Sequence, residues 1–273
     1  SGPNQIDTTG FFVRAQYIDF LNREPDTAGF NFWVNNIDSC GADVGCREVK
    51  RIDTSAAFFL SIEFKETGYL VERIYKTAYG DGTGTSTIGV THTLRVPVVR
   101  LNEFLPDTQR ITRGVVVLQT GWEQVLEANK QAFTQEFVQR SRFVTAFPLT
   151  LTPTQFVDAL NDNAKSNSDA KPLSAAERTQ LINALTNGTM SRAQVLRAVA
   201  EDTDLLNSEI NRAFVLMEFF GYLRRNPNDP QDSDYTGYDF WLTKLNQFNG
   251  SYVNAEMVKA FISSIEYRKR FAQ

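Results

Sequence analysis

Apolar residues recur at helical spacing over two long stretches, residues 208–223 and 255–270. In the second stretch Met257, Phe261 and Ile265 share one face. A spacing of three and four residues places side chains on one side of an α-helix, so each stretch predicts a helix with one face against a core.

Three helix starts are marked by residue pairs typical of capping boxes. The side chain of a Ser or Thr just before a helix accepts a hydrogen bond from the backbone N–H three residues later. A Gln or Glu at that later position accepts one from the backbone N–H of the Ser or Thr. These boxes predict helices that begin after residues 152, 174 and 191. The pairs are Thr152 with Gln155, Ser174 with Glu177, and Ser191 with Gln194.

Strand signals are few. The β-rich runs are "RVPVVRL" (95–101) and "RGVVVL" (113–118), and Pro97 weakens the first because proline donates no ladder hydrogen bond. Polar loops are predicted over 79–93 and 161–172. The sequence therefore predicts an all-α fold with at most a small β-hairpin near 95–118.

The pattern "FLNREPDTAGFNFW" (20–33) returns as "YLRRNPNDPQDSDYTGYDFW" (222–241), with an acidic insertion after the second proline. Later blocks, "AFFLSIEFK" (57–65) and "AFISSIEYR" (260–268), also correspond. We therefore expect two pseudo-repeated multi-helix halves, residues 8–147 and 150–273, that pack together or form one integrated domain. Equivalent residues are Leu21 and Leu223, Arg23 and Arg225, Pro25 and Pro227, Trp33 and Trp241, and Glu63 and Glu266.

The repeated stretch predicts a structural corner between two helices. Pro25 discourages helix at the residue before it, and Asp26 is placed to cap the next helix. Since an Arg and a Glu recur in each half, we expect each Arg to pair with the Glu of its own half. The residues of this motif are Arg23, Pro25, Asp26, Trp33 and Glu63 in the first copy, and Arg225, Pro227, Trp241 and Glu266 in the second.

Composition is that of a folded protein: 42% of the residues are hydrophobic, 22% are charged and 21 are Phe. A net charge of −4 argues against a nucleic-acid partner, which needs a basic face. Apolar runs are soon broken by polar residues, so no membrane insertion is expected.

Histidine and cysteine are scarce, which excludes much metal chemistry. One His and two Cys fall short of the roughly four ligands of a thiolate or imidazole zinc site. Cys40 and Cys46 flank a short glycine-containing loop and either form a local disulfide or remain buried thiols. A disulfide would indicate a secreted or surface protein. The opening "SGPN" is typical of a trimmed end, so no leader is expected to be visible.

The acidic insertion offers a possible calcium site at Asn226, Asn228, Asp232 and Asp234. Asp232 and Asp234 alternate as in a calcium loop, but the twelfth position is Thr243 rather than a bidentate Glu. The alternative is a solvated acidic loop whose carboxylates cap a helix. No other cofactor is expected, because His92 lies in a loop without a nucleophile motif and "GDGTG" (80–84) lacks the Lys and Ser/Thr of a phosphate loop.

The quoted residues resemble a bacterial family. "FVRAQYIDFLNREPDTAGFNFWVNNI", "SRAQVLRAVAEDTDLL" and "FISSIEYRKRF" resemble the domain-of-unknown-function family 4214, which occurs in secreted and cell-surface proteins. "INRAFVLMEFFGYLRRNPND" followed by "SSIEYRKRF" is more distantly similar to the linker-polypeptide domain of phycobilisomes. Both resemblances imply an all-α fold and interaction rather than catalysis.

We therefore expect a non-catalytic extracellular or cell-surface interaction module, part of a larger secreted protein, that binds a protein or a surface polymer. The alternative is a polysaccharide-acting enzyme that uses carboxylates in a groove between the halves. Tryptophans could stack on sugar rings; we expect Trp33 and Trp241 to be buried and Trp122 to be more open. The oligomeric state is not indicated by the sequence.

Overall fold

The computed structural model describes residues 4–272, and helices dominate them, which confirms the all-α prediction. Ser1–Pro3 and Gln273 lie outside the described residues, and the expectation of a trimmed end concerns the first of these. A 3-10 helix, Gln5–Asp7, precedes the α-helices. The α-helices are α1 Thr9–Leu21, α2 Thr27–Asp38, α3 Val44–Phe59, α4 Ile62–Lys65, α5 Gly68–Tyr79, α6 Leu101–Thr112, α7 Trp122–Phe137, α8 Ser141–Ala146, α9 Pro153–Asn163, α10 Ala175–Thr186, α11 Arg192–Ala200, α12 Thr203–Glu218, α13 Thr236–Gln247, α14 Met257–Ser263 and α15 Ile265–Lys269.

All three predicted capping boxes are present at the starts of α9, α10 and α11. At α9, Thr152 Oγ1 accepts a hydrogen bond from the Gln155 N–H at 3.2 Å, and Gln155 Oε1 accepts one from the Thr152 N–H at 2.9 Å. Each box satisfies two backbone donors that the helix itself leaves free, which explains why these starts could be predicted from local sequence.

A small hairpin is present, as predicted, but it lies earlier in the chain than predicted. Strand β1 (Asp81–Ser86) pairs antiparallel with β2 (His92–Pro97), in a register that sets Asp81 opposite Pro97. The predicted run 95–101 overlaps β2, but 113–118 is not a strand, and the predicted loop 79–93 contains β1. Packing explains the difference: a Cβ at Gly84 would lie 2.6 Å from the Tyr235 ring, so β1 is held by a distant contact that needs glycine.

The predicted helix over 255–270 is broken at Ser264. Its backbone is extended, with φ −62° and ψ 146°, and its side chain caps α15 by accepting a hydrogen bond from the Tyr267 N–H at 3.0 Å. Ser61 does the same between α3 and α4, where it accepts from the Phe64 N–H at 3.1 Å. The predicted helix over 208–223 is formed by α12 and a π-helical turn, Phe219–Leu223.

The two copies of the repeat, α1–α4 and α12–α15, adopt the same local course and pack on each other. Asn22 and Arg224, at equivalent positions, both have left-handed backbones, with φ of 55° and 54°. The equivalent residues Phe20 and Tyr222 touch across the interface, with ring centroids 5.2 Å apart. Contact between equivalent positions is the mark of an approximate twofold relation.

Helix α5 runs through the middle of the protein and is buried along almost its whole length. It packs against α6 of the first half and against α9, α11 and α12 of the second. One hydrophobic core therefore crosses the boundary between the predicted halves.

Among the helices of residues 4–272, none combines the length and apolar character needed to cross a bilayer.

Candidate functional site

At the first corner, Arg23 and Glu63 form a two-point ion pair. Arg23 Nε lies 3.0 Å from Glu63 Oε1, and Arg23 Nη2 lies 3.2 Å from Glu63 Oε2. Only 3% of the Glu63 side chain is exposed. Burial opposes the charged form of Arg23, but the hydrogen bonds to Glu63 and the negative charges of Glu63 and Asp26 together outweigh it and hold the pKa of Arg23 above its usual value.

Asp26 has two tasks at this corner. It caps α2, because its Oδ1 accepts a hydrogen bond from the Gly29 N–H at 2.8 Å, and its Oδ2 lies 3.6 Å from Arg23 Nη1. The Gly29 hydrogen bond and the charge of Arg23 lower the pKa of Asp26. Pro25 precedes it in the turn, as the sequence indicates.

The second corner repeats the ion pair with Arg225 and Glu266, whose Nη2 and Oε2 atoms lie 3.1 Å apart. Here the two tasks of Asp26 fall to two residues of the acidic insertion, which follows Pro227. Asp232 Oδ2 lies 2.7 Å from Arg225 Nη2, and Asp234 Oδ1 accepts a hydrogen bond from the Thr236 N–H at 2.9 Å.

The tryptophans pack in matching positions. Trp33 lies against Phe58 with ring centroids 5.8 Å apart, and Trp241 lies against Phe261 at 5.5 Å. Trp33, Trp122 and Trp241 are all half-buried, so the first and third are more exposed than predicted.

A cavity of about 200 Å³ opens at the second corner. Its apolar wall includes Phe219, Trp241 and Phe261, and its polar wall includes Arg225, Asp232 and Glu266. We call this space the corner cavity. The Glu266 side chain is 21% exposed, seven times the fraction of Glu63, because it faces this opening.

One substitution between the copies accounts for space at this point. Tyr17 of α1 is equivalent to Phe219, and its hydroxyl lies 2.3 Å from where a Cβ on Gly29 would stand. At the second corner the nearest atom to a Cβ on Gly237 is Phe219 Cζ, at 3.6 Å. The Tyr17 hydroxyl thus occupies space at the first corner that stays open beside Gly237. Sequence reasoning missed Phe219, although the aligned copies show Tyr17 opposite it.

The acidic insertion holds the hairpin to the second copy. Arg100, just after β2, donates hydrogen bonds to Asn228 Oδ1 at 2.6 Å and Asp229 Oδ1 at 3.0 Å. The Tyr235 N–H donates to Thr85 O at 2.9 Å, and Ser86 Oγ donates to Asp239 at 2.6 Å. Arg100 and Asp229 were not singled out from the sequence, because nothing local links positions so far apart.

The residues of the predicted calcium site are engaged in this network and the second corner. Asn226 Oδ1 accepts from the Leu101 N–H at 2.8 Å, while Asn228 and Asp232 face arginines and Asp234 caps α13. Over residues 4–272, no group of three or more His, Cys, Asp or Glu is placed to hold a metal ion. The arrangement is a set of charge-assisted hydrogen bonds, and the calcium site stays a prediction.

His92 also takes part in the hairpin contacts. Its Nε2 lies 3.3 Å from Asp239 Oδ2, and its Nδ1 lies 2.8 Å from Val90 O.

Cys40 and Cys46 form the predicted disulfide, with Cα atoms 5.6 Å apart. It closes the connection between α2 and α3 in the first copy. The two cysteines are the only ones in the chain, so the second copy joins α13 to α14 without a disulfide.

Acids with raised pKa values lie in the interior and not at the corner cavity. Burial raises the pKa of Glu72 to about 8 and also raises the pKa values of Glu209 and Glu218. Glu209 faces Lys76 at 3.1 Å and Arg212 at 3.0 Å at the interface of α5 and α12. None of the three lines the corner cavity or four further cavities found among the described residues.

Another charged pocket has about 290 Å³ and is lined by Glu103, Asp107 and Glu136. Each of these carboxylates is paired with an arginine: Arg142, Arg140 and Arg110 respectively. The pocket lies within the first half rather than between the halves.

Comparison with known proteins gives a family for the first copy. No curated protein and no solved structure matches the chain, and the distant resemblance to the phycobilisome linker-polypeptide domain is not borne out. Residues 5–68, which run from the 3-10 helix to the start of α5 and contain the first corner, match the family model described as "Domain of unknown function (DUF4214)", and the predicted resemblance to that family is confirmed over this segment.

Proposed function

We propose that the chain is a non-catalytic interaction module of an extracellular or cell-surface protein, and that it binds a protein or a surface polymer through the corner cavity. One observation carries the proposal: the second corner keeps open the space that Tyr17 fills at the first. Because both corners have the same ion pair and tryptophan, the open space is not needed to build the corner. An opening that structure does not require is a candidate for binding.

The surroundings of the cavity favour binding over hydrolysis. Asp232 and Glu266 are both held by the same guanidinium, that of Arg225. This is the arrangement of a structural ion pair, whereas glycoside hydrolysis needs two carboxyl groups that face each other across the scissile bond. The Cys40–Cys46 disulfide supports an oxidising location, since such bonds persist mainly outside the cytoplasm.

The test narrows the cavity by introducing at position 219 the tyrosine found at the equivalent position of the first corner. Phe219→Tyr places a hydroxyl in the space beside Gly237, and Tyr17→Phe is the matched control at the first corner. Both variants and the parent protein would be screened on an array of bacterial surface polysaccharides and against isolated envelope proteins.

We expect Phe219→Tyr to abolish binding and Tyr17→Phe to preserve it, with thermal melting to show that both variants are folded. Equal binding by the parent and Phe219→Tyr would contradict the proposal. Release of reducing ends from any glycan would favour the polysaccharide-acting enzyme instead.

A further inference from the structure

We infer that the group received in the corner cavity is an uncharged, hydroxyl-bearing sugar ring of a surface polysaccharide. This inference rests on the proposed function and specifies its ligand. Four properties of the cavity carry it: its size, its hydrogen-bonding capacity, the pairing of its charges and its apolar wall.

The size of the cavity limits the group to one unit of a polymer. Pockets for drug-sized ligands have roughly 300–1,000 Å³. The corner cavity has about 200 Å³, so it accommodates one sugar ring or one side chain, with the rest of the partner outside.

Apart from the Ser264 hydroxyl, the polar wall offers acceptors rather than donors. A guanidinium has five N–H groups. Those of Arg225 all point at protein acceptors: two carboxylates, and the backbone oxygens of Asn226 at 3.2 Å and Pro227 at 3.3 Å. Asp232 and Glu266 keep free lone pairs, since a carboxylate accepts about four hydrogen bonds. A ligand must therefore bring its own donors, as sugar hydroxyls do.

The charged groups of the cavity wall are already paired with each other. Arg225 bonds to both Asp232 and Glu266, and Lys244, which does not line the cavity, lies with its Nζ 5.3 Å from the centre of the Trp241 ring. An acidic sugar would face two carboxylates without a free guanidinium N–H, and a lysine or arginine side chain would compete with Arg225 and lose its hydration on entry. This arrangement favours a neutral sugar over both.

The apolar wall of the corner cavity complements the C–H face of a sugar ring. Phe219 and Phe261 are 2% and 4% exposed and form the floor, while the half-buried Trp241 is the aromatic side chain that a ligand can reach. The C–H face of a pyranose carries weak positive charge and the face of an aromatic ring is negative, so the two attract. A pyranose ring has an apolar face and an edge rich in hydroxyl donors, so it matches the apolar and polar walls of the cavity.

The test uses probes of one size and different charge. Calorimetry would compare neutral hexasaccharides of glucose, mannose and galactose with a hexamer of galacturonic acid, a hexamer of glucosamine and a lysine-rich hexapeptide. We expect a neutral probe to bind most tightly. Tighter binding of the acidic, amino-sugar or peptide probe would overturn the inference.

Variants locate the binding. Trp241→Phe should weaken binding of the neutral probe roughly tenfold, because it removes much of the stacking surface. Trp33→Phe is the matched control at the filled corner and should have no effect. Phe219→Tyr provides a second variant should Trp241→Phe fold poorly, and loss of affinity in Trp33→Phe alone would contradict the assignment.

The two proposals fail in different ways. If Phe219→Tyr abolishes binding of an envelope component but no neutral sugar binds the parent or competes with that component, the ligand class is wrong and the interaction module stands. If Phe219→Tyr leaves all binding unchanged, the corner cavity is not the binding site and both proposals fall.

Discussion

The two corners of this protein are built on one plan and differ in what occupies their centre. Each has an Arg–Glu pair, a tryptophan on a phenylalanine, and an arginine over the aromatic ring of the preceding helix: Arg23 lies 5.0 Å from the Tyr17 ring centre, and Arg225 lies 5.3 Å from that of Phe219. The Tyr17 hydroxyl fills the space beside Gly29 at the first corner, and the equivalent space beside Gly237 at the second corner is open. A separate pocket of about 550 Å³ also lies against the first corner, where Arg23 and Asp26 line it. A duplicated frame can thus keep one copy for stability while the other acquires a cavity.

The acidic insertion provides the second corner with contacts that a single residue makes at the first. Asp26 both caps its helix and faces Arg23, whereas Asp234 and Asp232 divide these tasks. The insertion also holds the hairpin through Arg100. The insertion therefore stabilises the second corner through contacts at its surface, and the space beside Gly237 can stay open.

The largest expected contrast concerns the arginines. Arg23→Ala should lower the free energy of unfolding by about 3 kcal/mol, because it leaves the Glu63 carboxylate buried without its partner. Arg225→Ala should cost about 1 kcal/mol, since Glu266 faces the open cavity and water. Urea denaturation at pH 7 measures both.

Equal losses would show that the two corners are energetically alike. The reversed pair, Arg23→Glu with Glu63→Arg, should recover part of the stability that each single change removes. If it recovers none, the pairing does not stabilise the corner.

A second contrast concerns pH. Glu218, fully buried, is equivalent to Gln16 of the first copy, and burial raises its pKa well above 4.5. A raised carboxyl pKa means that the folded state holds a proton which the unfolded state releases, so the stability it allows at acid pH is lost as pH rises above about 4.5. Glu218→Gln should therefore stabilise the protein by about 2 kcal/mol at pH 8 and have little effect at pH 4.

Urea denaturation at the two pH values measures the Glu218→Gln effect, and the exposed Glu256→Gln is the control. Glu72 contributes the same direction of pH dependence to every variant and cancels in the difference. A gain independent of pH would mean that Glu218 is not protonated in the folded protein.

The disulfide is a third difference between the copies. Replacing both Cys40 and Cys46 by Ser should cost about 2 kcal/mol, the chain-entropy estimate for a short loop. Thermal unfolding of this variant with and without reductant provides the measurement; the variant should be insensitive to reductant while the parent melts earlier with it. A parent that does not respond would show that the connection is stable without the bond.

The smallest effects on stability are expected at the aromatic position that differs between the two corners, which is Tyr17 in the first and Phe219 in the second. Tyr17→Phe should cost about 1 kcal/mol, because the hydroxyl leaves a packed position. Phe219→Tyr should change stability by less than about 0.5 kcal/mol, because the hydroxyl enters open space. Chemical denaturation of both variants would reveal the asymmetry, and a large loss in Phe219→Tyr would show that the cavity is narrower than its residues suggest.

The sequence by itself determined the helical character, the three capping boxes and the correspondence of the copies, because each depends on residues close along the chain or on direct comparison of two segments. It offered the disulfide as one of two alternatives, and the structure shows it. The sequence predicted a small hairpin but placed it too late in the chain, and it missed the break at Ser264. Apolar spacing continues through Ser264, and its role as a cap is visible in Ser61 only once the copies are compared.

Only the tertiary structure decided which corner is open and what surrounds it. The position of β1 depends on packing against Tyr235, and the acidic insertion is held by hydrogen bonds from Arg100. Both residues are far away in sequence from the segments they contact. The space beside Gly237 is open because Phe219 lacks the hydroxyl that Tyr17 places beside Gly29, and Arg225 offers no free donor because its five N–H groups are bonded within the protein. Such properties depend on the space between distant side chains, which local patterns do not encode.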